Sequence, residues 1–208
     1  MSERSTDTRR AIINSAYVLL RRRGYARVGL DDIAAGAQVT KRTLYYHFAS
    51  KDDLLAAVLE LEDELAFIAF QTFAGDLGGT AEEIIDGLFR ELGAWSGKPG
   101  WAGSGFTRLA MEMADLPGHP ARRIARRHKE RLEQCLCDKL MNALPSLPRS
   151  LGREIMLLLE GAMLMILLHG DRTYADAAAG AARRLLSSVP DPVVVARDNG
   201  SPIDGTTA

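Results

Sequence analysis

Apolar positions recur with a period near 3.6 along almost the whole chain, and no stretch sustains a period of two. Ile12, Ile13, Ala16, Leu19 and Leu20 trace one helix face, and Gly24 ends that helix after Arg21, Arg22 and Arg23. Positive charge suits that end of a helix dipole. Two short periodic segments follow, Leu30 to Ala37 and Lys41 to Phe48, joined by a turn at Gln38-Val39-Thr40. Ser50-Lys51-Asp52-Asp53 has the form of a capping box opening a helix to about Phe73, where Gly75, Gly78 and Gly79 break it. Thr80-Ala81-Glu82-Glu83 opens another, running to about Trp95. Residues 97–105 read as loop, Phe106 to Ala114 as a short helix, and Pro120 to about Leu144 as a long one begun by a first-turn proline. Ser150 to about His169 is apolar nearly all round, which predicts burial on several sides. Thr173-Tyr174-Ala175-Asp176 caps a last helix that fades by Val189, and the tail from Pro190 is expected to be disordered. The pattern predicts an all-α protein of about nine helices.

Charge divides this chain where periodicity does not. Residues 1–51 hold ten Lys/Arg against four Asp/Glu, a balance of +6, while the remainder holds sixteen against twenty-three, or −7. A basic head on an acidic body points to an anionic partner for the head. The expected division is a head at 1–51, a helical body at 52–189 and a tail at 190–208. The longest apolar run, Ile155 to Leu168, is shorter than the roughly 18–20 residues of a membrane-spanning helix and contains Glu160. The polar, acid-containing N-terminus has the form of neither a signal nor a transit peptide, so a cytoplasmic location is expected.

The two short segments of the head carry the candidate chemistry. Ile33, Ala34 and Ala37 face inward on the first, Leu44 and Phe48 on the second, with Val39 nearby. This spacing turns Arg42, Thr43 and Tyr46 outward, with Lys41, Tyr45 and His47 on the flanks. Such a helix fits a B-DNA major groove, about 12 Å wide. Arginine and lysine donate to guanine, while Tyr, Thr and His reach phosphates or base edges. The pattern is that of a helix-turn-helix, and the alternative is a short, mixed-polar surface helix.

The run IAAGAQVTKRTLYYHFASKDDLL closely resembles the signature of the tetracycline-repressor (TetR) family of bacterial transcription regulators. Ile33, Ala34, Ala37, Val39, Thr40, Leu44, Tyr45, His47, Phe48, Lys51 and Leu54 match it, and the likeness is specific over about residues 8–60. Gln38 stands where glycine is usual, which would cost about 1 kcal/mol at a positive φ. Arg42 replaces a common glycine, and Gly29 replaces the usual Ser or Thr cap. The resemblance implies base contacts from Lys41, Arg42, Thr43 and Tyr46, and phosphate contacts from Thr40, Tyr45, His47 and Lys51. It also implies a C-terminal helical domain that binds an inducer and dimerises through its last two helices.

The body is compatible with both. Small or apolar positions on the last two helices, Met156, Gly161, Met163, Ala177, Ala178 and Ala181, are expected at a homodimer interface. Phe67, Phe70, Trp95, Trp101, Phe106, Leu109, Met111 and Met113 are candidates to line a pocket for an unidentified small, apolar or aromatic effector. The basic run Arg122 to Arg131 reads as a solvated face with partners such as Glu130 and Glu133, or else as an anion site. Cys135 and Cys137 give no disulfide framework, and the histidines are scattered. No nucleotide-binding glycine pattern or nucleophile motif occurs. Neither metal, cofactor nor enzymatic activity is expected, and the partners expected are double-stranded operator DNA, a second copy and the effector. The fold also admits an activator or a regulator without effector, and from another class a helical small-molecule-binding protein or enzyme without DNA function.

Overall fold

The structure is a computed structural model that describes residues 3–189, so the expected tail lies outside the described residues. Nine α-helices and no strand occur among the described residues: α1 (Glu3–Arg23), α2 (Leu30–Gly36), α3 (Lys41–His47), α4 (Lys51–Asp76), α5 (Ala81–Ser96), α6 (Gly105–Glu112), α7 (Pro120–Ala143), α8 (Arg149–His169) and α9 (Thr173–Ser187). Each periodic segment became a helix, with its expected ends displaced by less than a turn.

The helix ends are satisfied largely by the residues that announced them. Asp53 N donates to Ser50 Oγ at 3.0 Å at the start of α4. At α5, Glu83 N donates to Thr80 Oγ1 at 3.2 Å, and Thr80 N donates to Glu83 Oε2 at 2.7 Å. Gly24 ends α1 at φ +79°, a conformation glycine takes without a Cβ penalty. The last helix departs from expectation. Thr173 is its first residue rather than its cap, and both Thr173 N and Oγ1 donate to Asp171 Oδ1, at 2.9 and 2.8 Å.

The chain forms two compact units, and the expected break after residue 51 is not where they divide. Among the described residues, one contains those up to Thr72 together with Ala102–Leu132; the other contains Phe73–Trp101 and those from Glu133 to Val189. The first unit has a single apolar core in which Ile12, Ala16, Ile33, Leu44 and Phe48 of the head meet Leu55 and Leu59 of α4, Phe106 of α6 and Ile124 of α7. The head is therefore continuous with the start of the body.

That unit also buries a carboxylate, Asp63 of α4, only 2% exposed. His128 Nδ1 lies 2.8 Å from its Oδ1, and Arg131 Nη1 donates to Oδ2 at 2.6 Å. Arg127 reaches both Oδ2 of Asp63, at 3.3 Å, and Glu60. Burial alone would raise the Asp63 carboxyl, but His128 and Arg131 hold it below its ordinary value. The basic run of α7 thus splits: Arg127, His128 and Arg131 serve α4, while Arg126 pairs with Glu130 in solvent at 3.6 Å.

In the second unit, α5 buries Ile84, Ile85, Leu88, Phe89 and Leu92, and α9 buries Ala175, Ala178, Ala179 and Ala182. The alanines let α9 pack closely against both α5 and α8. Gly152 of α8 lies against Cys137 of α7, where an added Cβ would collide with Sγ. Helix α8 is not buried all round, contrary to its composition. Ile155, Met156, Leu159, Met163 and Ile166 are buried, but Leu157 is 68%, Leu164 42% and Leu168 67% exposed.

Candidate nucleic-acid interface

Helices α2 and α3 are held as a corner by residues of opposite character on their two sides. Ile33 and Leu44 are fully buried, and Ala34 and Phe48 nearly so. Ser15 Oγ of α1 donates to the Ile33 carbonyl at 3.0 Å, and Gly36 leaves no room there for a Cβ. The turn passes through Gln38 at φ +56°, so the departure from glycine at this position is paid in backbone strain of about 1 kcal/mol. Gly29 offers no side-chain cap to α2, but its own N–H donates to Asp32 Oδ2 at 3.1 Å.

The outer face of α3 presents what the periodicity required. Tyr46 is 81% exposed, and Arg42 and Tyr45 are also exposed. Thr40 is the N-cap: its Oγ1 accepts from Thr43 N at 3.1 Å and lies 2.8 Å from Thr43 Oγ1. Lys41 Nζ donates to Asp31 at 3.0 Å across the α2–α3 corner, and this bond raises its pKa. His47 is half-buried with its ring edge-on to Tyr46, centroids 5.2 Å apart. Lys51 is placed differently from the exposed set. It is half-buried, and its Nζ donates to the Tyr25 carbonyl at 2.6 Å while lying 3.9 Å from the centre of the Tyr25 ring. Arg9 of α1, which no motif singled out, lies 4.9 Å over the Phe48 ring.

The remaining candidates disperse. In the first unit, Phe106 stacks on His128 at 3.9 Å and Phe67 lies under Arg131 at 3.8 Å. Leu109 and Met113 are buried in the core with Val28 and Leu55, and Phe70 is half-buried. Met111 is 63% exposed, so it lines no enclosed pocket; α6 turns it away from the core face that Leu109 and Met113 occupy. In the second unit, Trp95 and Trp101 meet edge to face at 5.7 Å, and Trp101 Nε1 is buried with no acceptor among the described residues. An open cleft of about 750 Å³ in this unit is lined by Asp86, Arg90, Arg172 and Arg183 among others, and includes none of the eight candidates. Of the expected interface residues, Met156, Met163 and Ala178 are buried in the unit's own core. They cannot form an outer surface, because their face of the helix pair is the one packed inward. Gly161 and Ala177 are exposed and Ala181 is half-buried.

A short apolar corner that presents an arginine and tyrosines on its second helix, where every regular element among the described residues is helical, has the form of a helix-turn-helix. Residues 12–58 match the family model described as bacterial regulatory proteins, tetR family. It is 35% identical over 94 residues to the transcriptional regulator TtgR of Pseudomonas putida, covering 43% of this chain and 45% of that protein. It is 30% identical over 84 residues to the A-factor receptor protein of Streptomyces griseus, covering 40% of this chain and 28% of that protein. The matches thus span less than half the length of these curated relatives. A TetR-family transcriptional regulator from Streptomyces coelicolor superposes with a TM-score of 0.75 at 26% identity, covering 89% of this chain and 97% of that one. No helix among the described residues is long and apolar enough to cross a membrane.

Proposed function

We propose that the protein is a homodimeric transcriptional repressor that works in the cytoplasm, reads an operator with α3 and releases it on binding a small apolar or aromatic effector. The observation that carries this reading is the outer face of α3, where Arg42 and Tyr46 are exposed above a fully buried Leu44. Arg42 donates to a guanine edge, Tyr46 and Lys41 extend the contact, and Tyr45 and His47 flank it towards the phosphates. Lys41 exchanges its exposed bond to Asp31 for DNA. Thr40 orders the first turn of α3, and Thr43 is bonded to it.

The dimer is supported by the open face of α8. Leu157, Gly161, Leu164 and Leu168 follow one another at helical spacing, and nothing lies within 4 Å of a Cβ built on Gly161. The effector is supported by the Trp95–Trp101 pair, whose buried Nε1 suits an acceptor on an aromatic molecule, and by one relative being a receptor protein.

The test is Arg42→Ala, measured on a duplex that the wild-type protein enriches from a random-sequence library and on a scrambled duplex, over a salt series. Discrimination between them should fall by about 1–3 kcal/mol, the worth of one bidentate base contact. Equal behaviour of variant and wild type on both duplexes would show that α3 does not read the site.

A further inference from the structure

Tyr25 lies in the turn between α1 and α2, and every polar atom it owns is tied to a helix outside the reading corner. Its N–H donates to Glu112 Oε2 at the end of α6 at 3.1 Å, and the next N–H, of Ala26, reaches the same oxygen at 3.4 Å. Its carbonyl accepts from Lys51 Nζ at the start of α4. Its hydroxyl donates to Asp52 Oδ1, and Oδ2 of that carboxylate lies 3.5 Å from Nε2 of His119. His119 is buried before α7, where its Nδ1 accepts from Ala121 N at 3.1 Å. The hydrogen bond from Tyr25 lowers the Asp52 pKa, so this carboxylate stays charged.

These bonds close a ring in the chain. Tyr25 precedes α2, and Lys51 and Asp52 follow α3, so the contact between them pins together the two ends of the reading corner. Glu112 and His119 then fasten the pinned base to α6 and α7. A lysine whose ammonium is half-buried against a carbonyl and an aromatic face, with its pKa lowered chiefly by burial, is poorly placed to neutralise a phosphate.

We propose that Lys51 is a positioning residue acting through Tyr25, and that Glu112 on α6 sets the DNA affinity of α3 through the same tyrosine without touching DNA. The proposal rests on the DNA-binding reading above. A phosphate contact and a positioning role differ in one measurable respect. Loss of a phosphate contact lowers the slope of log Kd against log salt by about 0.9, because one counterion fewer is released. Loss of a positioning contact weakens binding and leaves the slope alone.

The experiment measures Kd on the enriched duplex over a salt series for Lys51→Met, Glu112→Ala, Glu112→Gln and the Lys51→Met/Glu112→Ala pair. Lys51→Met and Glu112→Ala should each weaken binding by about tenfold at unchanged slope, and the pair by much less than the product, since both act through one residue. Glu112→Gln, which keeps an accepting oxygen, should recover most of the loss. If Glu112→Ala does not fold, Tyr25→Phe removes only the bond to Asp52 and should weaken binding about threefold, again at unchanged slope. A slope reduced by about one in Lys51→Met would restore the phosphate role and overturn the proposal. Wild-type affinity in Glu112→Ala would overturn the link to α6. A wild-type protein that enriches no duplex removes the DNA-binding reading, and this proposal with it; Arg42→Ala losing discrimination while Glu112→Ala binds normally removes this proposal alone.

Discussion

His128 shows how much one side chain carries here. Its Nδ1 lies 2.8 Å from Asp63, its ring stacks on Phe106 of α6 at 3.9 Å, and Lys129 and Arg131 stand beside it. Burial, helped by those cations and opposed by Asp63, holds its pKa below the ordinary 6.5. The folded state therefore binds fewer protons at this site than the unfolded chain. Stability that is complete above about pH 6.5 is lost as the pH falls towards the depressed value. Asp63, whose pKa is also lowered, adds its own loss only below about pH 4. The melting temperature should decline from about pH 6.5 to 5, and His128→Gln should flatten that decline; thermal melts of both proteins across this range decide, and parallel curves would mean another group titrates. At this scale legibility was uneven. The outward turn of Arg42 and Tyr46 follows from a period of 3.6, and so was readable. The fate of Lys51 was not, because it depends on Tyr25, which spacing alone does not bring to it. Likewise Glu112 is 87 residues from the N–H it accepts, and nothing in either local pattern announces the bond.

Among the elements, those whose ends are local events were legible. Ser50 and Thr80 cap as their spacing required, because a capping bond spans only three residues. Thr173 failed because Asp171, two residues earlier, is a stronger acceptor already in place, and the first N–H of α9 goes to it. Packing between helices was less visible. Gly152 carries no local signature inside an apolar helix, yet α8 approaches α7 there so closely that Cys137 Sγ fills the space of a Cβ. Gly152→Leu should therefore destabilise the protein by about 1–3 kcal/mol through overpacking, despite the better helix propensity of leucine. Chemical denaturation checks this. Gly161→Leu, on the same helix with nothing near its Cβ, is the control and should not lower the stability of the monomer.

For the whole molecule, the question is what covers α8. Composition gave an apolar helix, and burial was the natural expectation, because a sequence does not distinguish a surface covered by its own chain from one covered by a second copy. The structure separates them: Met156, Met163 and Ala178 belong to the internal core, while Leu157, Leu164 and Leu168 remain in solvent beside Gly161. Water-exposed leucines in a row are costly, and an isologous contact between two such faces would remove them from water. A charge placed in that contact would face an apolar partner with no counter-ion. Leu164→Glu should therefore yield monomers in light scattering at micromolar concentration, with the helical circular dichroism and melting of each folded chain retained. Its DNA binding should change in kind. One copy meets only one half-site, whereas a dimer must span two whose centres are about 34–36 Å apart. The variant should lose affinity for the enriched duplex while keeping weak, strongly salt-dependent binding to any sequence through the basic head. Two results would count against the assignment: a wild-type protein that is already monomeric at these concentrations, or a Leu164→Glu dimer that holds the enriched duplex as tightly as wild type.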